Sequence, residues 1–171
     1  MGCRITPYQP NFCTPVKIKT CPQPFLLAEN AGIPNNPRLP ACLYPTALAG
    51  QSAAQIRAHL RERDWTGTWR GVIYDYHHYH SHAHEVLVVL SGSAQVILGG
   101  EGGPELTVGE GDVLLLPAGV GHCSPSHGPD FEVLGAYAGG REWDICTPQD
   151  TDLAWARGRI AEVPDWAQEP V

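Results

Sequence analysis

Five of the eight histidines fall in one short stretch, Tyr74-Asp75-Tyr76-His77-His78-Tyr79-His80-Ser81-His82-Ala83-His84-Glu85. The interleaving matters, because side chains alternate along an extended chain. Tyr74, Tyr76, His78 and His80 then share one face, and Asp75, His77 and Tyr79 share the other. Two imidazoles converging from same-side positions are what a divalent metal needs. Glu85 opens the apolar run Val86–Leu90 four residues later, so it can begin a neighbouring strand and point back at the pair. A further histidine, His122, lies just beyond the turn chemistry of Pro117-Ala118-Gly119-Val120-Gly121. The expected metal ligands are His78, His80, Glu85 and His122, with His84 the rival to Glu85 for the fourth place.

Three neutral imidazoles and one carboxylate suit a first-row divalent ion and leave two positions of an octahedral metal open. Iron, manganese, nickel, zinc and copper all remain open as the cofactor. Glu85 and His84 are the candidates for moving protons. Tyr74 and Tyr76 are read as pocket-lining aromatics, with Tyr76 a candidate for contact with substrate. His77 and His82 read as supporting or surface groups, and Cys123 as a small buried residue beside a ligand.

The elements that must position these residues are mostly strands. Val72–His80, Val86–Leu90, Ala94–Leu98, Glu105–Val108, Val113–Leu116 and Phe131–Tyr137 are dense in β-branched and apolar residues. Gly-, Ser- and Pro-rich turns separate them, which predicts an antiparallel all-β sandwich or barrel starting near residue 70. One helix is predicted over 53–63, because Ser52 and Gln55 form a capping box and Ile56 and Leu60 lie on one face. Residues 1–37 read as an extended arm, with a strand around Pro24–Leu27, and 38–147 as the domain. Residues 148–171 read as a polar, Trp-containing tail.

Two spaced motifs now resemble those of the cupin superfamily. His78-Tyr79-His80, four residues, Glu85, six residues and Gly92 look like the first cupin motif. Gly111, five residues, Pro117, one residue, Gly119, two residues and His122 look like the second, with residues 93–110 between them. The resemblance runs from about Ile33 to Ile145, and is to small single-domain bacterial cupins of the YjlB type. Asn35-Asn36-Pro37 and Gly135-Ala136-Tyr137, with Trp143-Asp144 beyond, also carry it. It implies a double-stranded β-helix (a jelly-roll barrel) with one short N-terminal helix and a metal in the barrel. There is one departure: Ser126 stands where the second motif usually carries an asparagine. The dimethylsulfoniopropionate-lyase type carries a tyrosine two residues past its glutamate, and Leu87 stands there instead.

The expected function is that of a metalloenzyme on a small organic molecule, with dioxygenase-like oxidation leading. A non-redox isomerase, lyase or hydrolase, or a ligand-binding cupin without turnover, are the alternatives. The formal charge of -7 argues against nucleic-acid or anionic-membrane partners, which need a basic face. No apolar run is long enough to span a bilayer, and no export signal is evident, so the reading is cytoplasmic. Cys3, Cys13, Cys21, Cys42, Cys123 and Cys146 form no CxxC pair and are expected to be mostly reduced thiols. Met1-Gly2-Cys3 fits a lipidation pattern. A homodimer pairing through the N-terminal arm is expected.

Overall fold

The apolar run after Glu85 looks unbroken because both of its faces are covered. It forms β4 (Glu85–Ser91), the middle of the larger of two sheets in the computed structural model, which describes residues 21–171. Gly2, Cys3 and Cys13 lie outside the described residues. Along β4, Leu87 and Val89 point between the sheets, while Val86 and Val88 point to the opposite side. A strand buried on both faces loses the polar half of its alternation.

The described chain forms nine strands and two helices. β1 (Gln23–Phe25), β2 (Ala41–Tyr44), α1 (Ala53–Glu62) and β3 (Trp65–Gly71) precede β4. β5 (Ser93–Leu98), β6 (Glu105–Gly109), β7 (Val113–Leu116), β8 (His122–His127), β9 (Glu132–Ala138) and α2 (Leu153–Ala161) follow it. The larger sheet has the order β1-β2-β7-β4-β9-β3 and the smaller β6-β5-β8. Every pairing is antiparallel. From β4 onward the chain passes from one sheet to the other and back, giving the jelly-roll arrangement that the sequence implied.

One core fills the space between the sheets, with Leu87, Val96, Leu98, Leu114 and Phe131 among its members. A second lies behind the larger sheet, where α1 contributes Ile56 and Leu60 against Trp65. The capping box closes as its pattern implies. Ser52 Oγ accepts from the Gln55 amide at 3.3 Å, and Gln55 Oε1 accepts from the Ser52 amide at 2.9 Å.

Three sequence expectations change. The first strand of the barrel is Trp65–Gly71, not Val72–His80. Its register with β9 shifts between Thr66 and Trp69, so Gly67 belongs to a bulge that interrupts the pairing without ending the strand. Residues 72–80 leave the sheet and are held by the bridges at His78 and Tyr79 and by single bonds from the Ser124 amide to the Tyr74 carbonyl and from the Gly119 amide to the His80 carbonyl. The tail contains a second helix, α2, capped by Asp152, whose Oδ1 accepts from the Trp155 amide at 2.7 Å. Only Ala156 and Ile160 of that helix are buried, so its apolar stripe is too narrow to announce itself.

The third change concerns the cysteines. Cys21 and Cys42 form a disulfide, whereas Cys123 and Cys146 are free and buried. Pairing of β1 with β2 brings Cys21 near Cys42, a proximity that cysteine spacing does not reveal. A disulfide closing a loop of 21 residues stabilises mainly by restricting the unfolded chain. Reduction, or Cys21→Ser, should lower the unfolding free energy by about 2–4 kcal/mol in denaturant titrations. Far-ultraviolet circular dichroism should stay unchanged.

Candidate metal centre

Two backbone bridges bring the ligand-bearing segments together. His78 and His122 exchange both amide hydrogen bonds, at 3.2 and 2.9 Å, which sets their imidazoles side by side with centroids 4.1 Å apart. On the other edge of the same segment, Tyr79 exchanges both bonds with Cys146, at 3.0 and 2.9 Å. The stretch 78–80 is thus pinned between two strands of chain without belonging to a sheet. His80 contributes its carbonyl to the Gly119 amide at 2.8 Å.

The turn before His122 is tightly built. Val120 closes it by donating to the Pro117 carbonyl at 3.0 Å. Gly119 has φ +90°, and a Cβ there would lie 2.6 Å from Ile160 Cδ1 and 2.8 Å from the Asn35 carbonyl. Only glycine fits. Asn35 and Asn36 fasten the turn from the N-terminal side. Asn35 Oδ1 accepts from the Gly121 amide at 3.1 Å, and Asn36 Nδ2 donates to the Ala118 carbonyl at 3.0 Å.

All three histidines present the same nitrogen. His78 Nδ1 donates to the Tyr76 carbonyl at 3.2 Å and His122 Nδ1 to the Val120 carbonyl at 3.1 Å, while His80 Nδ1 donates to the Asp144 carbonyl. Each backbone bond fixes the tautomer and turns Nε2 inward. His78, His80 and His122 form the one three-residue group able to hold a metal ion among the described residues, with ligand atoms within 4.8 Å of one another. Glu85 Oε2 joins them, 3.0 Å from His80 Nε2 and 3.5 Å from His122 Nε2.

These residues fit a divalent cation. Glu85 is only 2% exposed, and its Oε1 is buried with no hydrogen-bond partner, a costly state for a charged oxygen. Burial alone would raise the Glu85 carboxyl, but the His80 and His122 imidazoles beside it hold it well below the usual carboxylate range. Burial also opposes a charge on His80, yet the Glu85 carboxylate outweighs it and keeps that imidazole above its ordinary value. A cation held by His78, His80, His122 and Glu85 would supply the positive charge that a proton on His80 otherwise must. Burial, with His122 close by, lowers His78 to about 3, so its ring is a neutral donor at physiological pH.

His84 sits elsewhere. Neighbouring residues on a strand point to opposite faces, so at the start of β4 Glu85 turns inward and His84 outward. His84 Nδ1 accepts from the Ala118 amide at 2.9 Å, its Nε2 donates to the Pro164 carbonyl at 3.2 Å, and its ring packs edge-on against Trp166. Both nitrogens are committed away from the three imidazoles. Tyr76 is also off the cavity: it stacks on Tyr74 with centroids 5.0 Å apart and is exposed. His77 lies beside Cys123, 3.7 Å from its sulfur, and His82 lies 3.3 Å from Asp144.

The ligands form the floor of a cavity of about 200 Å³. Several lining residues had no catalytic expectation attached to them. Tyr137 faces Glu85 across the β4–β9 pairing, and Trp69 Nε1 donates to its hydroxyl at 3.0 Å. Gly135 makes that contact possible, since a Cβ there would lie 2.3 Å from the Trp69 indole. Burial, helped by Glu85, pushes the Tyr137 phenol up, so it keeps its proton. Trp143 stacks on Tyr137 at 5.9 Å, and the adjacent Asp144 clamps Ser81 with its carboxylate while its carbonyl holds His80. The alternation along β9 was the available signal for Tyr137; nothing in the spacing announces Asp144.

A buried cluster of three histidines and a glutamate inside a jelly-roll barrel, carried by these two motifs, fits the cupin class, and the Cupin domain model matches residues 70–133. The chain belongs to the cupin family. Protein YjlB of Bacillus subtilis (strain 168), itself described as uncharacterised, is 36% identical over 149 residues, covering 87% of this chain and 89% of its own. That extent makes this chain a YjlB-type cupin. Among solved structures, the DMSP lyase DddQ from Ruegeria pomeroyi DSS-3 is similar at 26% identity and a TM-score of 0.39. The match covers 50% of this chain and 43% of the lyase, so the chain spans under half of that protein's length. Acireductone dioxygenase from Bacillus anthracis, with cadmium in its active centre, is 14% identical with a TM-score of 0.37, covering 57% and 76% of the two chains.

The separate positions of His84 and Glu85 make opposite expectations. Glu85→Ala should reduce metal retained by the folded protein, measured by elemental analysis. His84→Leu should leave metal content per folded molecule unchanged but lower stability by about 2 kcal/mol, because it strands the Ala118 amide and the Pro164 carbonyl. Burial lowers His84 to about 4 from an ordinary 6.5, so between these pH values the unfolded chain binds a proton that the folded one does not. Its neutral form therefore stabilises the fold above the unfolded value, and that contribution is lost as pH falls from 6.5 towards 4. Denaturant titrations should show a shallower loss of stability over that window in His84→Leu.

Proposed function

We propose that this protein is a metal-dependent enzyme acting on a small organic molecule bound in the barrel, with oxidation by dioxygen as the leading reaction class. The observation that carries the reading is the convergence of three Nε2 atoms and the Glu85 carboxylate on the floor of a cavity open to solvent. His78, His80, His122 and Glu85 would hold the ion, which when bound supplies Lewis-acid or one-electron chemistry. The chain's own contribution is positional. Backbone carbonyls hold the three rings in one tautomer, Trp69 orients the Tyr137 hydroxyl, and the aromatic rim restricts water around a bound molecule.

A second reading has one observation in its favour. Tyr137 is a protonated phenol lining the cavity beside the Glu85 carboxylate, a hydrogen-bond donor for a substrate oxygen, which suits a non-redox isomerase, lyase or hydrolase. A homodimer is part of the proposal, supported by β1, a short strand at the edge of the larger sheet among the described residues. A cytoplasmic setting fits less well with the Cys21–Cys42 disulfide, since cytosolic thiols are kept reduced. No helix of the described residues is long and apolar enough to cross a membrane.

Protein reconstituted with Fe²⁺ should consume oxygen with at least one member of a panel of phenols, thiols and keto acids. His122→Ala should abolish both metal retention and that uptake. Turnover with Zn²⁺ under anaerobic conditions would select the non-redox reading, and saturable binding without product would mark a ligand-binding cupin.

A further inference from the structure

The chemistry of the cavity wall says what kind of molecule enters. Exposed large apolar side chains are usually scattered singly over a protein surface. Here Val72, Tyr74, Trp143 and Ile145, each 40–47% exposed, all line the mouth of the one cavity above the metal ligands. Tyr74 packs edge-on against His78 at 5.1 Å, and Trp143 edge-on against His80 at 6.0 Å. Two exposed rings therefore flank the ligand set.

The absences among the lining residues are equally informative. Among the described residues no arginine lines the cavity, and the one carboxylate lining it is Glu85. A substrate with a charged group beyond the end that meets the ligands would find no counter-charge, and burying it unpaired is costly. A sugar would need several hydrogen-bonding partners. Apart from the ligands, the wall offers the Tyr74 and Tyr137 hydroxyls, the Trp143 N–H and a Trp69 N–H already donated to Tyr137. The volume, about 200 Å³, lies below the roughly 300 Å³ at which pockets begin to hold drug-sized molecules.

We infer that the site takes a small uncharged molecule with a single aromatic ring and one oxygen-donor end, and that Tyr74 and Trp143 hold the ring. This rests on the metal reading above, with the donor end directed to the His78, His80, His122 and Glu85 centre. The ring is recognised by stacking and edge contacts, and the apolar rim selects against a second charge.

The test uses Zn²⁺-loaded protein, with metal content measured first, and three hydroxamates followed by calorimetry. Benzohydroxamate and acetohydroxamate share a donor end and differ in the ring; 4-carboxybenzohydroxamate adds a charge. Benzohydroxamate should bind about tenfold tighter than acetohydroxamate, the worth of one or two aromatic contacts, and the carboxylated probe should lose that advantage. Trp143→Ala and Tyr74→Ala should each reduce benzohydroxamate affinity about fivefold and leave acetohydroxamate unchanged, with Trp143→Phe retaining the preference. Both side chains are half exposed, so these variants should fold, which circular dichroism would check. Equal affinities for benzohydroxamate and acetohydroxamate, or a ring preference that survives both alanine variants, would overturn the inference while leaving the metal reading intact. So would a dimer that Trp143→Ala dissociates without changing ring affinity, since the rim would then be covered by a second copy. Failure to take up metal sinks both readings and is seen before any probe is added.

Discussion

Much of this molecule depends on one short backbone ladder, the pair of hydrogen bonds between His78 and His122. Residues 72–80 have left the regular sheet, so nothing in the ordinary strand pairing determines where their side chains point. The bridge does so, aligning two ligands drawn from distant parts of the sequence. The bond pair between Tyr79 and Cys146 does the same from the other edge, and leaves the segment no freedom to rotate. Alternation along this bridged stretch then directs His78 and His80 to the ligand cluster and Tyr79 into a separate buried cluster with Ile33, Cys146 and Ala156.

The electrostatic problem follows from that geometry. A carboxylate as buried as Glu85 is tolerated only if positive charge lies close by, and the imidazoles provide it. The same crowding makes a proton on His78 unfavourable, so burial and the neighbouring rings keep it neutral. A buried carboxylate facing three imidazoles is an arrangement that suits a divalent cation in its charge balance as well as its shape.

The all-β fold, the capping box and the residues that meet in the cavity were legible in the sequence because each depends on local periodicity or fixed spacing. His78, His80, Glu85 and His122 belong to this class. His84 competed with Glu85 on paper because adjacent residues look equivalent until strand parity is known, and parity depends on where β4 begins. The first barrel strand was misplaced because Val72–His80 is dense in β-branched and aromatic residues, whereas Trp65–Gly71 carries two glycines. Tyr76 was read as continuing an alternating strand that the structure breaks before it. The Cys21–Cys42 pair, the role of Asp144 and the contact of Trp69 with Tyr137 all arise from long-range closure, on which local pattern is silent.

The clasp on the His122 turn has a consequence for how the molecule is made. Asn35 and Asn36 leave the ribosome early, yet the groups they fasten, Ala118 and Gly121, lie more than eighty residues later. Ile160, which packs against the same turn, and Pro164, which receives His84, come later still. The histidine-rich stretch is therefore synthesised long before its surroundings exist. The turn that carries His122 and the partner of His84 are completed only after α2 and Pro164 have been made.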